Sequence, residues 1–111
     1  MAVTVQNPDH PERQGKTEGI IDSGADLTLI PNSLVKQIGV QSHKDVPLSG
    51  VDGLDIERAA FIVNLEFAET QLERRSVCAW NGAFVILGRD VLDGFTFMYD
   101  GKNRTFELRD P

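Results

Sequence analysis

Asp22, Ser23 and Gly24 follow an apolar pair, Ile20 and Ile21, and lead into Ala25 and Asp26. A carboxylate at the end of an apolar strand is held near a core yet can face a cleft, where it could act as a general acid or base. Ser23 can hydrogen-bond across an interface, and Gly24 lets the chain turn with its amide beside the carboxylate. The same triplet is also ordinary turn chemistry, and the spacing leaves both readings open. A second segment, Ile86-Leu87-Gly88-Arg89-Asp90, echoes the first as an apolar strand running into a turn with Gly and Asp. Other chemistries find little material. His10 and His43 sit in polar, loop-like sequence without paired spacing, so neither a structural zinc site nor a Ser-His-Asp triad is expected. Cys78 is the single cysteine. Flanked by Val77 and Ala79, it reads as an inert core thiol and cannot close an intrachain disulfide. No metal and no cofactor are expected.

The elements that must position Asp22 follow from periodicity. Ala2–Gln6 alternates as a strand, Asn7–Gly15 carries two prolines and a glycine as a loop, and Lys16–Ile21 returns as the second strand of a hairpin. Leu27–Ile30 is a short apolar run. Pro31-Asn32-Ser33 opens a short helix that presents Leu34, Val35 and Ile38 on one face and stops before Gly39. Val46-Pro47-Leu48 leads into the glycine-bearing turn Ser49-Gly50-Val51-Asp52-Gly53. Phe61, Val63, Leu65 and Phe67 alternate with Ile62, Asn64 and Glu66 as a strand. Leu72–Trp80 is another strand, closed by the Asn81-Gly82 turn. Ala83–Leu87 is continuously apolar, as for a strand buried on both faces, and Val91-Leu92-Asp93 forms a helical turn. Phe95, Phe97 and Tyr99 alternate on a strand that turns at Asp100–Asn103 and returns over Thr105–Leu108. The pattern is all-β, about eight short strands with one helix, in a small closed barrel or sandwich-like sheet.

Composition bounds the function. The 111 residues carry 11 basic and 17 acidic side chains, a net charge of −6, with a pI near 4.7. Nucleic-acid binding, which needs phosphate-neutralising Lys and Arg, is disfavoured, as is docking on anionic lipid. No run approaches the ~18 apolar residues of a membrane helix, and Met1–Gln6 lacks the features of a signal peptide. The expectation is one domain over residues 1–111, without nucleic acid or membrane as partner, that is cytoplasmic or released from a larger protein.

The run Ile20-Ile21-Asp22-Ser23-Gly24-Ala25 resembles the active-site motif of retropepsin-like aspartic peptidases, in which two apolar residues precede Asp-Thr/Ser-Gly-Ala. Ile86-Leu87-Gly88-Arg89-Asp90 resembles the family's second motif, and Ser49–Gly53 stands where its flap hairpin stands. The resemblance covers about Gly19 to Leu92. It implies the small closed barrel of that family, active as a symmetric homodimer, because the chain holds a single Asp-Ser-Gly and the chemistry needs two carboxylates. Asp22 and its mate would share one proton, as the aspartic-protease dyad itself exemplifies. The ionised member would activate a water and the protonated member would donate to the peptide carbonyl, with an optimum at mildly acid pH. Ser23 would brace the two loops across the twofold axis, and Gly24, Ala25 and Asp26 would meet the substrate backbone. Gly50, Val51, Asp52 and Gly53 would form the closing flap. Thr28, Gly88 and Arg89 would support the site, Arg89 through a partly buried pairing with Asp26. Leu27, Ile30, Val51 and Phe84 would line apolar pockets for a peptide or protein substrate. The N-terminal hairpin and the hairpin from Phe95 to Leu108 depart from the short interface tails of viral enzymes and look more like cellular and bacterial relatives. Three readings stay open: an aspartic endopeptidase, a catalytically silent dimerisation or peptide-binding domain of the same fold, and an unrelated barrel with a chance motif.

Overall fold

Apolar alternation builds a closed barrel. The structure, a computed structural model, describes residues 1–49, 55–93, 96–100 and 105–109, with 44–49, 55–58, 96–100 and 105–109 given as the course of the backbone. β1 (Ala2–Gln6) buries Val3 and Val5 completely and pairs antiparallel with β2 (Gln14–Ile21), Thr4 opposite Lys16. Their connecting loop turns around the buried Asn7. Its Oδ1 accepts the amides of Asp9 and His10, and its Nδ2 donates to the Ile38 carbonyl at 3.0 Å. The loop is thereby fixed to the end of helix α1 (Asn32–Ile38), which follows β3 (Leu29–Pro31). α1 buries Leu34, Val35 and Ile38, and Gly39 ends it in the left-handed region at φ 71. That conformation costs glycine little.

β4 (Lys44–Ser49), β5 (Asp55–Phe67), β6 (Thr70–Trp80) and β7 (Val85–Leu87) complete the main sheet. The order β1-β2-β7-β3-β6-β5, with β5 returning to β1, closes six strands into a barrel, and β4 lies on β5 outside that ring. Closure removes the unpaired edges of a small sheet. The thirteen-residue β5 makes it possible: one edge takes β4 over residues 55–60 and β1 over 64–67, while the other takes β6. Val3, Val5, Phe61, Val63, Leu65, Phe67, Val77, Val85, Leu87 and the α1 side chains fill the interior. β7 is followed by the single-turn helix α2 (Arg89–Leu92), then β8 (Thr96–Asp100) and β9 (Thr105–Arg109), which form a separate two-stranded sheet.

The described residues thus contain nine strands and two helices against the eight and one expected. The added strand is β4, where Pro47 disguises the pattern. It survives because β4 is an edge strand, the place where proline is tolerated. α2 starts at Arg89, two residues before the expected turn. β2 begins at Gln14 inside the expected loop, and β3 is shifted to Leu29–Pro31. β7 is shorter than the apolar run, and it is not buried on both faces: Val85 and Leu87 are buried but Ile86 is half-exposed. The β5–β6 hairpin turns on Ala68 and Glu69, both at positive φ (46° and 65°), between the paired Phe67 and Thr70. Two left-handed residues in a two-residue loop favour Asn-Gly. The double replacement Ala68→Asn, Glu69→Gly should raise stability by about 1 kcal/mol, read as a higher melting temperature.

Candidate active site

Asp22 stands where two parallel strands end together. β2 and β7 pair in register, Gly19 with Val85, Ile20 with Ile86 and Ile21 with Leu87, so the two echoing sequence segments are neighbours in space. The Asp22 amide donates to the Leu87 carbonyl at 3.0 Å, and the chain then turns, with Ala25 N–H on Asp22 O at 3.1 Å. The Asp22 carboxylate accepts the Gly24 amide at 2.9 Å. Asp22, Ser23 and Gly24 are all exposed, so the carboxylate stands at the surface of the single chain with one oxygen held by its own turn.

The loop behind that turn is latched to the segment after β7. Arg89 N–H donates to Ala25 O at 2.8 Å and Asp90 N–H to Asp26 O at 3.2 Å. Thr28 is fully buried. Its hydroxyl donates to Asp90 Oδ1 at 2.8 Å and accepts the Gly88 amide at 3.1 Å, while its own amide donates to Asp90 Oδ2 at 3.1 Å. Asp90 Oδ1 also accepts the Val91 amide at 2.9 Å. Gly88 has no room for a side chain: a Cβ there would lie 2.6 Å from the Leu27 carbonyl carbon and oxygen and 3.0 Å from Ala25 O. The two segments therefore behave as one rigid unit behind Asp22. Replacing Thr28 by Val should cost about 1–3 kcal/mol, because the buried Gly88 amide loses its acceptor. Thr28→Ser should recover much of that loss, a comparison that thermal denaturation reads directly.

Arg89 pairs with Asp26. The pair is not partly buried as expected: the side chains are 54% and 66% exposed. Both lie on the outer side of the latch, where water screens the attraction and an isolated pair contributes little. Of the expected pocket residues, Leu27 and Phe84 are half-buried, whereas Ile30 is completely buried in the core. β3 turns Ile30 inward, so it lines no pocket. Gly50, Val51, Asp52 and Gly53 lie outside the described residues. β4 and β5, on either side of them, pair as far as Ser49 and Asp55. Asp90 belongs to the second motif but was not among the expected site residues. Its signal was Thr28, a polar residue within an apolar run, which needs a polar partner once buried. Among the described residues no three His, Cys, Asp or Glu side chains gather as a metal site.

Ile20 is the one exposed large hydrophobic residue among those described, at 45%. It pairs with the half-buried Ile86, so apolar residues lead to Asp22.

No curated protein matches the chain. Among solved structures it is similar to the EIAV protease complexed with the inhibitor HBY-793, with a TM-score of 0.57 and 19% identity over 84% of this chain and 83% of that one. The likeness shows a shared fold. The sequence model of the retroviral aspartyl protease family matches residues 1–98, a span that takes in every strand of the barrel and both echoing segments. The chain belongs to the retroviral aspartyl protease family.

Proposed function

We propose that the protein is an aspartic endopeptidase in which Asp22 of one chain and Asp22 of a second copy form the catalytic pair. The observation that carries this reading is the setting of Asp22: an exposed carboxylate at the joint ends of β2 and β7, on a turn latched rigidly from behind and preceded by apolar residues. A binding module has no need of a carboxylate so placed, whereas general acid–base chemistry needs both the exposure and the fixed geometry.

Two such carboxylates side by side repel, so the pair keeps one proton between them. The ionised member takes a proton from water as the water attacks the peptide carbonyl carbon. The protonated member gives its proton to the carbonyl oxygen, leaving a tetrahedral diol that collapses to amine and acid. Ser23 braces the two turns, and Gly24, Ala25 and Asp26 align the substrate backbone. Thr28, Gly88 and Arg89 hold the loop. Gly50, Val51, Asp52 and Gly53 close over substrate in this reading, on the strength of the sequence resemblance.

The second copy has support in the chain's own pattern. In the β8–β9 register Phe97 pairs with Leu108 and Tyr99 with Phe106. A two-stranded sheet is marginal alone, and pairing with a second copy would stabilise it.

Cleavage of a diverse peptide mixture between about pH 4 and 7 tests the reading. The wild type should cut and Asp22→Asn should not. A wild type that forms dimers and cuts nothing would leave the silent peptide-binding reading in its place.

A further inference from the structure

β5 and β6 lose register once. Val63 pairs with Arg75 and Leu65 with Leu72, so Glu73 and Arg74 together oppose Asn64 and β6 bulges. Arg74 takes the left-handed backbone region at φ 52, a costly conformation for a long side chain. Asn64 holds it there. Its Oδ1 accepts the Arg74 amide at 3.0 Å, while its Nδ2 donates to Gln6 Oε1 of β1 at 3.0 Å. The Arg74 guanidinium then reaches the β1–β2 loop, where it donates to Asp9 Oδ1 at 3.0 Å. The two side chains are 62% and 70% exposed, so this pair alone contributes less than the backbone conformation costs. Strain retained for so small a local gain points to function.

Arg74 and Arg13 both line a cleft of about 510 Å³ between the β1–β2 loop, the end of α1 and the β5–β6 pair. Pro8, Val40 and Ile62, all half-buried, supply its apolar part. Arg13 lies along Gly39: a Cβ on that glycine would come within 3.3 Å of Arg13 Nη1, so the bare backbone leaves room for the guanidinium. The loop that carries Asp9 is already fixed by Asn7, which ties it to the Ile38 carbonyl. Two guanidinium groups thus share the cleft with the carboxylate of Asp9, in a chain whose net charge is −6. A guanidinium has five N–H donors, and Asp9 takes only part of the Arg74 fork. We propose that this cleft is a docking site for an acidic peptide segment, whose carboxylates pair with Arg13 and Arg74 while an apolar neighbour rests on Val40 and Ile62. The cleft shares no residue with the Asp22 turn, and the inference does not depend on peptide hydrolysis.

The probe is a hexapeptide of alternating Glu and Leu, titrated calorimetrically into the full-length protein carrying Asp22→Asn, so that it stays uncut. It should bind, and the same peptide with Gln in place of Glu should bind about tenfold more weakly, the loss expected when charge-assisted hydrogen bonds become neutral ones. Further substitutions are made in the same background. Arg74→Asn suits the left-handed backbone but is too short to reach the cleft. It should melt no lower than its parent and bind the probe about tenfold more weakly. Arg13→Ala should weaken binding to a similar degree. Arg74→Lys should recover only part of the loss, because an ammonium cannot fork onto a carboxylate. Asp9→Asn, which removes the competing charge, should tighten binding by about threefold. Absence of binding, equal affinity for the Gln peptide, or affinity unchanged in both Arg74→Asn and Arg13→Ala would overturn the proposal. A clear fall in the melting temperature of Arg74→Asn would also overturn it, by showing that Arg74 serves the fold. Free glutarate binding as tightly as the probe would assign the cleft to small carboxylates in place of a peptide. None of these outcomes bears on whether the wild type cuts peptides.

Discussion

Asp22→Asn should reduce peptide hydrolysis by at least about 10⁴-fold while leaving the fold in place. In the proposed symmetric dimer the substitution acts twice: neither turn would keep a carboxylate, so no group could accept the proton of water and none could donate to the carbonyl oxygen. The structural cost is small for a specific reason. Among the described residues, the one hydrogen bond that the Asp22 carboxylate accepts comes from the Gly24 amide, and an asparagine Oδ1 can accept it equally well. The side chain is exposed, so no buried group is left unpaired. Stability should change by less than about 0.5 kcal/mol, the ordinary range for a surface substitution. Kinetics and a thermal melt on the same preparation separate the two effects. A comparable loss of stability would mean that Asp22 serves the turn, not the chemistry.

Gly88→Ala should be the most damaging single-methyl change at the site. The added carbon meets backbone, the carbonyl of Leu27 at 2.6 Å and that of Ala25 at 3.0 Å, and backbone cannot swing aside as a side chain can. Relief requires residues 25–27 to move away from 88–90, which strains the hydrogen bonds from Arg89 to Ala25 and from Asp90 to Asp26. Overpacking of this kind costs about 2–3 kcal/mol, equivalent to a drop of roughly 10 °C or more in melting temperature for a domain of this size. The moved residues carry the Asp22 turn, and displacement of a reacting group by about 1 Å can cost 10²-fold in rate. Activity measured well below the melting temperature should therefore still be about 10²-fold down. Thr28→Val removes hydrogen bonds without forcing the backbone, so its effect on rate should be much smaller than its effect on stability.

Much of this arrangement is legible in the sequence because local rules and the final fold agree. Ala2–Gln6 and Phe61–Phe67 alternate cleanly, and their buried members are those the period selects. The helix between Pro31 and Gly39 carries its boundaries in its own residue types. Asp22, Ser23 and Gly24 stand out because a polar triplet interrupts an apolar strand. Other parts depend on contacts between distant residues, which no local rule encodes. Parallel pairing of β2 with β7 joins residues 66 positions apart, and only it explains why the two similar segments are similar. Asp90 is one more acid on a turn until the buried Thr28 gives it a task. The positive-φ pair Ala68 and Glu69 has none of the residue types such turns prefer, so the hairpin there is set by pairing of the long strands around it. Ile30 read as pocket and proved to be core, because one position of register in β3 decides the face.

The proposed active site takes one Asp22 from each of two chains, and mixing wild-type and variant chains tests this arrangement. Wild type and Asp22→Asn are combined at constant total protein and re-equilibrated through the dissociated state, and activity is followed against the wild-type fraction. A shared site requires both carboxylates, so activity should follow the square of that fraction, with an equal mixture retaining about a quarter of the wild-type value. Activity that falls in direct proportion to the wild-type fraction would mean that each chain works alone, and a site shared between two Asp22 residues would be ruled out.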